Sequence, residues 1–245
     1  MFRNGVILGI LVLAGCMLGG CKGEAAQNTG FTRSEMMAHD ATLPFHKVWR
    51  KPGFDMKKYD KLYIAPVNTA YMLEITDWQK GERQAEIEKD VVEIGHYADE
   101  ALAKAFREDP AHRFTVVGSH GKDRGTLVLE VAITEVVPSK VSLNALGFAL
   151  PYGLGVPVSA VRAMAKDQSS VAFEARLRDA STGEVVAMAA DREVEQSAVV
   201  NVRAFSWYSH AKGIIDSWSK QFVEVANRKP GDTVKDTDAF TLANW

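Results

Sequence analysis

Apolar positions recur along this chain at two different periods, and the two periods alternate. In the stretch 126–137, Leu127, Leu129, Val131 and Ile133 fall at every second position against Glu130 and Thr134, the alternation of a long strand that Pro138 closes. Further on, Val171, Phe173, Ala175 and Leu177 share one face while Glu174, Arg176 and Arg178 share the other. This predicts a hairpin with one wet side, turning at Ala180-Ser181-Thr182-Gly183, where Gly supplies the positive φ of a tight turn. Two shorter apolar runs, "KLYIAPV" and "RFTVVG", read as buried strands. The other period is helical. Ile87, Val91, Ile94, Ala98, Ala101, Leu102, Ala105 and Phe106 recur at three and four over residues 82–108, before Asp109-Pro110 stops the pattern. Phe205, Tyr208, Ala211, Ile215, Trp218, Phe222 and Val225 do the same over 202–227. The order β-α-β-β-(insert)-β-β-α predicts an α+β fold: a two-layer sandwich, a mostly antiparallel sheet with two long helices packed on one face.

Outside these elements the pattern changes. Residues 22–42 hold no sustained period and read as a flexible tether. Residues 43–228 form a single α+β domain, and 229–245, opening on Pro230-Gly231, form a loose C-terminal tail. The start is different again: basic Arg3, an uncharged apolar run over 6–13, then small residues, which together read as a secretory signal peptide over 1–21. The apolar run is far shorter than the roughly 20 residues a bilayer-spanning helix needs. Both cysteines of the chain lie here, in Leu13-Ala14-Gly15-Cys16 and Leu18-Gly19-Gly20-Cys21. Each has the form of a lipobox: a Leu, small residues that lie extended in a peptidase cleft, and a Cys whose thiol takes the acyl chains. One of the two is the expected lipid attachment, Cys16 favoured for its wording, Cys21 for the sharper break to polar sequence at Lys22. The alternative is a plain signal peptide with incidental cysteines, or a disulfide closing a few leader residues and stabilising no fold. In every case the domain is free of cysteine, which excludes thiol catalysis and thiolate metal sites there. The residue after the acylated Cys would be Met17 or Lys22 rather than Asp. The expected location is therefore the cell envelope, lipid-anchored by palmitate-type chains at the outer membrane and facing the periplasm.

Composition adds limits. The chain has 245 residues, 29 basic against 31 acidic, and a formal net charge of -2. That balance carries no electrostatic footprint for nucleic acid, so no nucleic-acid partner is expected. The histidines, His39, His46, His96, His112, His120 and His210, are scattered without a His-x-x-x-His or Glu-x-x-His pair, and no metal or cofactor is expected. Asp99-Glu100 and Glu86-Glu88 read as solvating charge on the first helix, and Ser119 and Ser206 lack a nucleophile-elbow context. No catalytic residue is assigned. The oddest segment is 141–161, uncharged between Lys140 and Arg162, with Pro151, Pro157 and several glycines spoiling a lipid-facing helix. It is a buried crossing, a partner-binding loop or a membrane-dipping insert. As an interaction loop its candidates are Leu146, Phe148, Leu150, Tyr152, Leu154, Val156 and Val158.

Four stretches carry a resemblance: "WRKPGFDMKKYDKLYIAPV", "GTLVLEVAITEVVPS", "EARLRDASTGEVVA" and "SWYSHAKGIIDSWSKQF". Over residues 45–228 the chain resembles the bacterial lipoproteins grouped as domain of unknown function 3313. The positions that match are Pro52, Gly53, Asp55, Pro66, Val67, Asp179, Thr182, Gly183, Glu184, Trp207 and Trp218. The resemblance implies a lipoprotein and a fold, and it implies no activity. More distantly, the element order is similar to small periplasmic domains of lipoproteins that act in assembly or secretion, a likeness of fold that carries no function. The expectation is a non-enzymatic binding or accessory component of an envelope assembly, with an envelope protein as partner. The alternative is a small-molecule or glycan-binding lipoprotein with a pocket between sheet and helices.

Overall fold

The computed structural model describes residues 25–72, 84–137, 168–196 and 209–236. Six strands form one sheet: β1 (Lys47–Arg50), β2 (Lys61–Ile64), β3 (Thr115–Val117), β4 (Thr126–Val137), β5 (Gln168–Asp179) and β6 (Val185–Gln196), in the order β1-β6-β5-β4-β2-β3. The helices are α1 (Gln84–Arg107) and α2 (Ser209–Asn227). Residues 202–208, read as the start of the second helix, lie outside the described residues.

The sheet is mixed. β1–β6, β6–β5 and β5–β4 are antiparallel, while β2 runs parallel to both β4 and β3. The crossover through α1 returns the chain to β3 in the direction of β2, and the connection 118–125 then passes β2 to start β4 from the same end, so both neighbours of β2 are parallel to it. The hairpin lies where the alternation put it. Gly183 takes φ 71° at its turn, and Asp179 holds that turn by accepting from Ser181 N and Oγ and from Thr182 N. β1 is an added strand that the pattern did not reveal. It is four residues long and half-buried, too short to show a period.

Alternate residues of β4 and β5 supply the core. Leu127, Leu129, Val131, Ile133, Val171, Phe173 and Ala175 are buried together with Ile94, Ala98, Leu102 and Phe106 of α1 and Ala211, Ile215 and Trp218 of α2. The rings interlock, with Phe173 4.6 Å from Trp218, 5.2 Å from Phe222 and 5.6 Å from Phe45, centroid to centroid. The two helices also touch directly. Tyr97 donates to Asp216 at 2.9 Å, and Lys212 sits over the Tyr97 ring.

Three expectations are corrected. The sheet register does place Glu174 and Arg176 on one face with Glu130 and Ala132, but that face is not wet: Glu174 is 2% exposed. What covers it is chain read as a flexible tether. Phe31, Thr32 and Met37 are buried, and Ala38 pairs with Val48 beyond the edge of β1. This strap carries no period because it lies across strands instead of continuing one, so each residue meets a different neighbour. At the other end, Val234 in the stretch read as a loose tail is buried and donates its N–H to Thr42 O at 3.0 Å.

Candidate functional site

Three places gather polar chemistry. The first joins the matched motif positions. Asp55 caps a short 3₁₀ turn (Met56–Lys58) by accepting from Lys57 N, and Tyr59, just after it, donates to Asp179 at 2.7 Å. Lys51 pairs with Glu184 at 2.5 Å, and Lys51 N donates to Val186 O. The Pro52-Gly53 entry is thus pinned to the β5–β6 turn. Burial raises the Tyr59 hydroxyl to about 12, helped by the Asp179 carboxylate. Burial also pushes Asp179 up, but the hydrogen bonds from Ser181, Tyr59 and Thr182 together hold it below its ordinary value. The junction clasps the segment before β2 to the β5–β6 turn.

The second place is the strap. Glu174 accepts from Thr29 N (2.8 Å), Thr29 Oγ1 (2.9 Å), Thr32 N (2.6 Å) and Thr32 Oγ1 (2.6 Å). Beside it Arg176 lies over the Phe31 ring at 4.2 Å and donates to Phe31 O, while also pairing with Glu130. Phe31 in turn meets Tyr71 edge-on at 5.1 Å.

The third place lies on the opposite face of the sheet. Asp191 is 1% exposed and accepts from His46 N at 3.0 Å and Trp218 Nε1 at 3.0 Å, while its carboxylate also pairs with His46 Nδ1. It ties the approach to β1 to α2. Glu193 and Asp236 bring oxygens within 4.8 Å of it and of one another. Since both Asp191 oxygens are already engaged, the trio has the arrangement of a structural junction. A fourth buried group, Arg192, pairs with Glu135 at 2.8 Å across Ser170, whose hydroxyl donates to the same carboxylate at 2.6 Å.

Of the residues singled out from the sequence, Cys16, Cys21 and the loop residues Leu146 to Val158 lie outside the described residues, as does Trp207. Trp218 is the core anchor its helical spacing indicated. Glu174 and Asp191 went unnoticed as buried groups, because acids in alternation with apolar residues read as a solvated face. No helix among the described residues is long and apolar enough to cross a membrane.

The class these observations define is a mixed α/β domain with a strapped six-stranded sheet. The chain belongs to the family of proteins of unknown function DUF3313, whose model matches residues 27–222 and so takes in the strap. None of the curated proteins matches it. Among solved structures it is similar to the PelC dodecamer from Paraburkholderia phytofirmans, at 15% identity and a TM-score of 0.36, covering 71% of this chain and 94% of that one. It is also similar to the hypothetical protein CT253 from Chlamydia trachomatis, at 9% identity and TM-score 0.36, covering 68% and 94%. A third is the lipoprotein GNA1162 from Neisseria meningitidis, at 16% identity and TM-score 0.26, covering 69% and 99%. Values this low describe a distant likeness in the course of the chain and say nothing of activity.

Proposed function

We propose that this protein is a lipid-anchored component of the cell envelope, acylated at Cys16 or Cys21 and facing the periplasm from the outer membrane. It acts by binding, as an accessory of an envelope assembly, and not as an enzyme. The observation that carries this reading is how soon the fold begins after the lipobox. Residues 22–28 alone separate Cys21 from Thr29, the first residue of the strap held by Glu174; fully extended they span at most about 28 Å, and about 45 Å from Cys16. A domain so closely leashed meets partners in the plane of its membrane at high effective concentration, which lets weak contacts suffice. The buried acids Glu174 and Asp191 and the partly buried Asp179 support a binding body as well, since each spends oxygens holding one segment to another.

The helices, in this reading, form a second layer on one face of the sheet, with the strap on the other. Support comes from the burial of alternate β4 and β5 residues with both helices. The ligand-binding alternative has less in its favour. The space between sheet and helices is filled by Phe45, Phe173, Trp218 and Phe222, whereas a cleft of about 530 Å³ that the described residues form lies outside it, between Glu224 and Lys235.

Replacing both Cys16 and Cys21 by Ser tests the anchor. The variant is expected to keep its leader and to take up no labelled palmitate; equal processing and equal palmitate labelling would overturn the placement. Proximity labelling from the anchored protein then tests the accessory role, which fails when no envelope protein is enriched over a lipoprotein of unrelated fold.

A further inference from the structure

We infer that the strap side of the sheet is the surface the domain lays on its own membrane, with Met36 and Tyr71 seated at the lipid headgroups. The inference rests on the anchoring proposed above and goes on to fix an orientation. The strap starts over β5 at Thr29 and Thr32, leans on Tyr71 through Phe31, passes through a 3₁₀ turn (Ser34–Met36), and ends beside β1 where Ala38 pairs with Val48. It crosses the sheet on the side where the chain leaves for the lipid. With at most about 28 Å of extended chain between Cys21 and Thr29, this side is within reach of the leaflet. The far end of the domain is held off by the thickness of the sheet and helices.

The exposed groups suit that position. Among the described residues the exposed large hydrophobics are Met36 at 40%, Tyr71 at 37% and Val92 at 55%. The first lies on the strap and the second against it. Tyrosine favours the headgroup level, where its ring is in apolar surroundings and its hydroxyl is wet. Exposed Arg33 lies in the same segment and is available to lipid phosphate. Two apolar side chains are too few to hold a free protein on a bilayer, yet they suffice to orient one already tethered by acyl chains, for which docking is intramolecular. The occupant is therefore the phospholipid surface carrying the anchor; a protein partner at this patch is the competing outcome.

The test uses the full-length acylated protein in vesicles of phosphatidylethanolamine and phosphatidylglycerol. A photocrosslinking residue is placed in turn at Met36, at Tyr71 and at Lys122, an exposed position in the loop that leads into β4, at the end of the sheet where β2 begins. Lipid adducts several-fold more abundant at 36 and 71 than at 122 are expected, together with slower amide exchange over 33–37 on vesicles than in detergent. Equal yields at the three positions, or adducts to protein alone in whole envelopes, would overturn the orientation while leaving the anchor intact. Failure of the protein to float with the vesicles would instead remove the anchor, and the orientation with it.

Discussion

Glu174 shows what a single buried carboxylate can organise. Four donors from two threonines converge on it, and hydrogen bonds to a charged acceptor are worth about 1.5–3 kcal/mol apiece when a partner is removed, less where water can replace it. Because the strap can peel into water, Glu174→Ala is expected to cost about 2–3 kcal/mol in urea unfolding. Glu174→Gln, which keeps one acceptor oxygen, should cost about half of that. The same variants should lose amide protection at Thr29 and Thr32; full protection there would disprove the clasp. The acids also differ in how they answer pH. Asp109 accepts from Ala111 N, Arg113 N and Asn227 Nδ2, and these bonds outweigh burial to hold it low, as those on Asp179 do. For a folded value below the unfolded one, the stability is present above the ordinary carboxyl range and is lost as pH falls through it. Asp99 has the opposite sign, raised by burial despite the bond from Val67 N, so its contribution is greatest in acid and falls as pH rises. Asp179→Asn should therefore flatten the acid limb of stability below about pH 4, whereas Asp99→Asn, which keeps an acceptor for Val67 N without the charge, should raise stability at neutral pH and leave it unchanged in acid; thermal melts across pH check both.

At the scale of elements, periodicity spoke clearly wherever apolar residues recur at one spacing along the whole element, even in β4, which is buried on both faces. β4 runs over the residues its alternation marked, and α1 buries Ile94, Ala98, Leu102 and Phe106 in the stripe read from their spacing. It was silent on β1, whose four residues pair with β6 without a period of their own. It misled on the outer face of β5, since polar alternation cannot distinguish a face open to water from one covered by later packing. The Glu135–Arg192 pair belongs to this second kind. It links β4 to β6 across Ser170 of β5, and both side chains are 3% exposed or less. Removing one partner leaves a buried charge, so Arg192→Met alone is expected to destabilise by about 3–5 kcal/mol. Glu135→Leu with Arg192→Met should recover at least half of that, because an apolar pair of similar volume needs no compensating charge. A double-mutant cycle by chemical denaturation reads the coupling, and additive single effects would mean that the pair acts through its other neighbours.

For the molecule as a whole, the strap decides where the domain begins. The family model starts at residue 27, close to Thr29, whereas a reading from periodicity alone opens the domain at 43, because nothing in the alternation of "NTGFTRSEMMAH" announces that Phe31 and Met37 are core. The two boundaries predict different behaviour on truncation. A chain beginning at residue 27 should unfold at the parent temperature, since the residues removed contribute no buried side chain among those described. A chain beginning at 39 loses two buried apolar side chains, each worth about 1.5–3 kcal/mol of burial, offset in part by the entropy regained when the strap is no longer ordered. It also leaves Glu174 without its donors and uncovers the β4 and β5 face beside Ala132. The expected result is a net loss of a few kcal/mol, read as roughly 2–4 °C of melting temperature per kcal/mol for a domain of this size, with increased binding of a hydrophobic dye. Equal melting temperatures for the two truncations would return the strap to the status of a tether, and the membrane-facing surface built on it would have no fixed place in the fold.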